Sequence, residues 1–390
     1  MESELERRSR MGLQRFPRAE FDSRLNRLRA EMAERGLSLA LIHGPENICY
    51  LTGHETPGYY VYQCLLVPAG GEPVLLMRET ETVNARTFSY LEDIQGYPDT
   101  VDPVDATLQA VRERGFDLST VGLEEGSWFL TPLHYRRLLG ALGIESPEAI
   151  DALVARLRLV KSPLEIAAIR EAARIASVSM DAALAIVGPG VPEREVAASI
   201  FATMMREGSE YLATEPYVAS GPRSGAMHSS WSERVIGEGE PVLIEIGPCV
   251  KRYNAALMRT AAIGDLSAQL ATMAEVCIAA LTAAVEQVRP GNTPEMVDLA
   301  CKDVIAAADM SDLYRKRTGY SIGIGFAPDW GEGHILSLRE GNQTRFEPGM
   351  VVHVVPALRQ VGLGGVGFSE TVLVTPEGNE VLTSSPRALS

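Results

Sequence analysis

Pro241-Val242-Leu243-Ile244-Glu245-Ile246-Gly247 reads as an apolar strand broken by one carboxylate. Strand alternation puts Leu243, Glu245 and Gly247 on one face and Val242, Ile244 and Ile246 on the other. An ionised carboxylate in hydrocarbon costs several kcal/mol unless it is paired, protonated or put to use. Two readings of Glu245 follow. It is a structural carboxylate satisfied by Arg259, or it is a functional group, as perturbed carboxylates in apolar surroundings often are. The functional reading is preferred.

Working outward, the pattern changes at Val160-Lys161-Ser162-Pro163-Leu164-Glu165. Ser162 can cap a helix, Pro163 suits its first position and Glu165 is placed to close a capping box. The spacing predicts helices at about 163–187, 192–207, 266–289 and 294–309, and strands around Val242–Ile246, Ala255–Ala262, His353–Pro356 and Thr371–Thr375. Helices set against a largely antiparallel sheet make residues 159–390 an α+β domain. Upstream, Leu25, Leu28 and Met32 recur at helical spacing from Phe21 to about Arg35, and Gly36 can end that helix. A strand at Leu39–Ile42 and a hairpin of Tyr62–Pro68 with Pro73–Met77 follow, then segments at Ala106–Arg114, Thr120–Glu124 and Leu133–Leu142. This predicts a smaller mixed α/β domain over residues 1–158, with 1–15 frayed.

A chain of 390 residues with 46% hydrophobic and 22% charged residues is ordinary for a globular protein of two or three domains. Its net charge of −15 argues against nucleic acid or an anionic membrane as partner. No run approaches the about 20 apolar residues of a spanning helix, and the charged N-terminus shows no secretory h-region. Cys49, Cys64, Cys249, Cys277 and Cys301 are widely spaced with no Cys-x-x-Cys pair, which predicts buried, reduced thiols in a cytoplasmic protein.

Four pieces of the second domain carry the chemistry. They are Val218–His228, the Glu245 strand continuing through Arg252-Tyr253-Asn254 to Arg259-Thr260, Thr318–Ile324 leading to Pro328–Glu332, and Glu347–Pro356 with Ser369–Thr375 behind it. In this order they resemble the creatinase, aminopeptidase P and methionine aminopeptidase superfamily over nearly the whole chain. The resemblance implies a C-terminal pita-bread catalytic domain preceded by a smaller α/β domain, in a homodimer whose partner's N-terminal domain closes the active site. It also implies that the positions binding two metals in the peptidases hold Glu245, Ala256, Ser321, Val355 and Ser369 here. One strong ligand is too few, since such cations need three or more. No metal or other cofactor is therefore expected.

Within the superfamily the likeness is greater to metal-independent ectoine hydrolases than to creatinase, whose catalytic glutamates fall where Met258 and Val355 stand. That resemblance implies covalent attack by Glu245 on a ring amidine carbon. The chemistry is self-consistent, because a desolvated carboxylate attracts and attacks an amidinium, and an acid/base group must then serve the hydrolytic step. His228 stands where the superfamily's acid/base histidine stands, although a surface histidine beside a glycine-rich turn is the bland alternative.

Substrate-binding candidates are Tyr320, His353, Asp329, Tyr253, Arg259, Tyr59 and Tyr60. His353 shares a strand face with Val355, and an ordinary core histidine fits equally. Arg259 is read chiefly as the partner orienting Glu245. Tyr59 and Tyr60 lie in an aromatic loop suited to covering a cation or packing an interface; ectoine hydrolases carry a tryptophan in that loop and this chain has none. Glu332, on a solvated loop, and Glu370, facing away from the site, rank lower. The expected activity is hydrolysis of a non-peptide C–N bond in a small polar, amidine or amino-acid-like molecule. An Xaa-Pro dipeptidase with a metal site rebuilt from Glu245, His228, His353 and Glu370, and an inactive binding module, are the alternatives.

Overall fold

The computed structural model describes residues 15–389. They form two compact units, one ending at Arg158 and the other beginning at Leu159. The expected fraying of 1–15 falls mostly outside the described residues; Arg15 itself is placed, paired with Glu55 at 2.5 Å.

In the first unit, β1 (Leu39–Ile42), β2 (Cys64–Pro68), β3 (Val74–Arg78), β4 (Ile94–Tyr97), β5 (Val121–Leu123) and β6 (Glu148–Ala149) form one mixed sheet in the order β4-β3-β2-β1-β5-β6. The predicted hairpin is the antiparallel β2–β3 pair. The helix Arg18–Glu34 buries Leu25, Leu28 and Met32, as their spacing requires, and Gly36 follows in the left-handed region at φ +67°. Tyr59 and Tyr60 sit in the 3-10 turn Pro57–Tyr60. Tyr59 meets Phe129 edge-on at 5.2 Å, whereas Tyr60 is 72% exposed.

The second unit opens on the predicted capping box. Ser162 Oγ accepts from the Glu165 amide at 3.4 Å, and the Glu165 carboxylate accepts from the Ser162 amide at 2.8 Å. Strands β7 (Tyr217–Ser220), β8 (Glu240–Ile246), β9 (Cys249–Val250), β10 (Tyr253–Asn254) and β11 (Leu257–Ile263) come next. β8 lies between β11 and β7 in an antiparallel three-stranded sheet. Helices Pro163–Leu184 and Glu193–Arg206 press Ile175, Met180, Val196 and Ile200 on to Val242, Ile244 and Ile246, which covers one face of β8.

The remaining strands are β12 (Gly319–Phe326), β13 (Asp329–Gly331), β14 (Ser337–Leu338), β15 (Val351–Val354), β16 (Ala357–Gln360), β17 (Gly364–Gly367), β18 (Glu370–Thr375) and β19 (Gly378–Val381). The path β19-β18-β15-β12-β10-β9 makes the larger sheet, and β16 and β17 form a separate hairpin. Against this sheet pack the helices Ala268–Gln287 and Pro294–Ala307. By length and composition the first of these could cross a membrane, with a mean hydropathy of 1.6. Here its Leu270, Met273, Cys277 and Leu281 are core residues. All five cysteines are buried and unbridged, and burial pushes the Cys277 thiol up to about 12.

Candidate active site

The face of β8 turned away from its helices carries Glu245. Register sets it between Tyr217 on β7 and Met258 on β11. Leu243, Met258, Val355 and Ala357 form a small apolar cluster there, with Tyr320 packed against it. Glu245 is only 8% exposed. Among the described residues none donates it a hydrogen bond, and no cation lies within the 4.0 Å of an ion pair. Burial raises its pKa, an effect that Lys316 and Arg359 oppose and Asp329 reinforces.

Lys316 donates to the Val355 carbonyl at 2.6 Å. Its pKa is lowered to about 8, by burial first, with Glu245 acting to hold the charge and Arg359 to remove it. Arg359 donates to the carbonyls of Ser224 and Ala226 at 2.6 and 2.8 Å. Beside Glu245 runs a polar chain. Trp330 Nε1 donates to Tyr320 Oη at 2.9 Å, Tyr320 Oη lies 3.1 Å from His353 Nδ1, and His353 Nε2 lies 2.7 Å from Ser369 Oγ, which accepts from the Met258 amide. Burial, aided by Lys316, pulls His353 down to about 3, so its imidazole is neutral. His228 is exposed, at φ +54°, and stacks on Tyr217 with ring centroids 5.5 Å apart. Tyr217 in turn meets Trp330 edge-on at 6.0 Å.

Residues 167–376 match the model of metallopeptidase family M24, and residues 24–160 match the creatinase/prolidase N-terminal domain. The chain belongs to metallopeptidase family M24. Ectoine hydrolase of Halomonas elongata is 31% identical over 394 residues, an alignment spanning 96% of this chain and 98% of that protein. Among solved structures, the Xaa-Pro dipeptidase of Bacillus anthracis is 28% identical with a TM-score of 0.81, covering 95% of this chain and 99% of its own. Dipeptidase PepE of Mycobacterium ulcerans is 26% identical with a TM-score of 0.83, covering 96% and 98%. Like these M24 relatives, the protein is a hydrolase of carbon–nitrogen bonds.

The M24 metal pair does not fit the side chains present. Ala256 and Val355 offer no donor, and Ser369 is engaged with His353 and the Met258 amide. Ser321 corrects the placement made from sequence. Its hydroxyl meets Lys161 and Glu332 at 3.1 and 3.0 Å, and the β12 residue beside Glu245 is Tyr320. A rebuilt site from Glu245, His228, His353 and Glu370 is also overturned, because Glu370 is paired elsewhere and His353 spends both ring nitrogens on Tyr320 and Ser369. Among the described residues no three His, Cys, Asp or Glu side chains gather to hold a metal ion.

Three further expectations are corrected. Arg259 pairs across β11–β8 with Ile244, so it faces away from Glu245; it binds Glu370 at 2.8 Å and the carbonyls of Met258, Ser369, Ser385 and Pro386. Tyr253 donates to Glu165 at 2.7 Å, a tie to the capping box that takes its hydroxyl out of the site. Glu332 is no solvated loop residue, being buried and paired with Lys161 at 2.8 Å. Glu370 does face away, as alternation required. Asp329 is exposed, accepts from the Gly331 amide at 2.8 Å, and acts electrostatically on Glu245, Tyr217 and Tyr320.

Tyr217, Trp330, Lys316 and Arg359 are the site residues that sequence reading missed. Lys316 was the most findable, lying two residues before the Thr318-Gly319-Tyr320 motif. Trp330 is seated against Gly247, where an added Cβ would overlap its indole ring. Gly247→Ala therefore shifts Trp330 and loosens Tyr320. A displacement of that size should lower kcat by about 10²-fold, with tryptophan fluorescence reporting the altered indole environment.

Proposed function

We propose that the protein opens a cyclic amidine, ectoine or a close relative, without a metal, using Glu245 as nucleophile. The observation carrying this reading is a buried carboxylate that no side chain pairs, on the face of a strand whose other face is core. The 31% identity to an ectoine hydrolase supports the substrate class. Glu245 attacks the amidinium carbon, forming a C–O bond as the C=N pair moves on to nitrogen. His228 protonates one ring nitrogen, and collapse breaks that C–N bond, leaving an imidate ester on Glu245. Water then adds to the imidate carbon and gives a proton to His228. The Glu245 carboxylate departs, and the amide and amine are the products.

Quenching the reaction within the first turnovers and mapping peptides by mass spectrometry should find the acyl-type adduct on Glu245. Turnover of an amidine with that peptide always unmodified would refute the nucleophile. His228→Asn should slow turnover by about 10²–10⁴-fold, the usual range for a lost acid/base group. The likeness to Xaa-Pro dipeptidase favours a second reading, cleavage of an Xaa-Pro dipeptide. Consumption of such a dipeptide by a protein that leaves cyclic amidines untouched would establish it over the first. A cytoplasmic homodimer belongs to the same proposal, and the unbridged cysteines support the reducing compartment.

A further inference from the structure

The backbone of His228 does not hold its own shape. At φ +54° it stands in the left-handed region, which a residue with a Cβ enters at a cost and keeps only where its surroundings impose it. The segment from Ala226 to Arg234 belongs to no helix or strand, so no regular ladder of backbone bonds imposes it. Side chains do so instead.

Glu193 opens the helix Glu193–Arg206 and is fully buried. Among the described residues, its side chain accepts hydrogen bonds from the two limbs of this one turn. On the limb before His228, the Ser220 amide and hydroxyl donate to one carboxylate oxygen at 2.8 and 2.7 Å, and the Arg223 guanidinium donates to the other. On the limb after it, Ser232 Oγ donates to that second oxygen at 2.6 Å. Arg223 bridges the limbs, donating to Ser232 Oγ at 3.0 Å and to the Ser230 carbonyl at 2.8 Å. Trp231, edge-on to Phe201 at 5.6 Å, seats the second limb on the same helix. One buried carboxylate therefore gathers both ends of the turn that carries His228.

We infer that Glu193 is the positioning residue of His228. By pinning both limbs it holds the imidazole on the ring of Tyr217, the β7 residue registered opposite Glu245. Its carboxylate is spent on the turn and acts on the reaction only through the histidine. Its effect on rate rests on the reading of His228 as the acid/base group; the placement itself does not.

A double-mutant cycle with ectoine as substrate provides the test. Glu193→Ala should lower kcat by about 10²-fold, the scale of a 1 Å misplacement, at an unchanged KM. In a His228→Asn background the same substitution should cost nothing further, because a residue that acts through another has no effect once that one is gone. An equal loss in both backgrounds is what general loosening of the fold produces, and it overturns the inference. If Glu193→Ala does not fold, Arg223→Met, at a partly exposed side chain, takes its place in the cycle. Placement is also read without substrate, by nuclear magnetic resonance of protein carrying ¹³C at histidine Cε1, with the His228 signal identified by its absence from His228→Asn. That signal should move in Glu193→Ala as the stacking on Tyr217 is lost, while the signal of the buried His353 stays. An unmoved His228 signal overturns the inference. If no amidine is consumed, or His228→Asn is as fast as the wild type, the acid/base reading fails, and the His228 signal alone decides whether Glu193 places that ring.

Discussion

Glu245→Gln should reduce kcat by about 10⁴-fold or more, the scale seen when a nucleophile is removed, and should make the protein more stable. The first effect follows because Glu245 is the carboxylate that β8 presents on this face, its other glutamate, Glu240, lying on the opposite face and pairing with Arg234. The second follows from burial. The native pKa of Glu245 is raised above its ordinary value of 4.5. Between those two values the folded state keeps a proton that the unfolded chain has lost, so stability falls as pH rises through the window and stays lower above it. Glutamine carries no charge to desolvate, so the variant should gain about 1–3 kcal/mol at neutral pH, a rise of about 2–4 °C in Tm for each kcal/mol. In the wild type, activity should fall on acidification at a pH above the usual carboxylate range. Retained turnover with a higher Tm would show that Glu245 is a buried residue without catalytic work.

Arg259→Leu should do the opposite, costing about 3–5 kcal/mol of stability, as breaking a buried ion pair does. The guanidinium is fully buried and reaches Glu370 and four backbone carbonyls, so it joins β11 to β18 and the segment around Ser385 and Pro386. Its loss leaves the buried Glu370 to Arg387 and Thr383 alone. Urea unfolding should show a lower midpoint at unchanged slope, while kcat per folded molecule changes far less than in Glu245→Gln. A kcat loss as deep as that of Glu245→Gln, at an unaltered midpoint, would return Arg259 to the role of orienting the nucleophile.

These two residues show what was legible in the sequence. The Glu245 strand, the capping box at Ser162 and the helical spacing of Leu25, Leu28 and Met32 are local patterns, readable because side-chain periods are fixed by backbone geometry. Strand partners are not local. Arg259 was assigned to Glu245 because both lie near one motif, but the β11–β8 register puts Met258 opposite Glu245. A one-residue offset likewise separated Ser321 from Tyr320. Glu332 resembles a loop carboxylate until Lys161, 171 residues away, is brought against it. Lys316 and Arg359 went unread because nothing in their own segments shows that β16 and the turn before β12 converge on β8.

One consequence of β8 concerns what a damaged molecule can do. The same seven residues supply hydrocarbon to the interior on one side and the working carboxylate on the other. A slip by a single position would send the acid inward and an isoleucine outward. A molecule with β8 out of register is therefore dead rather than weakened, and refolding errors of this kind lower the fraction of active molecules without changing the rate of the rest.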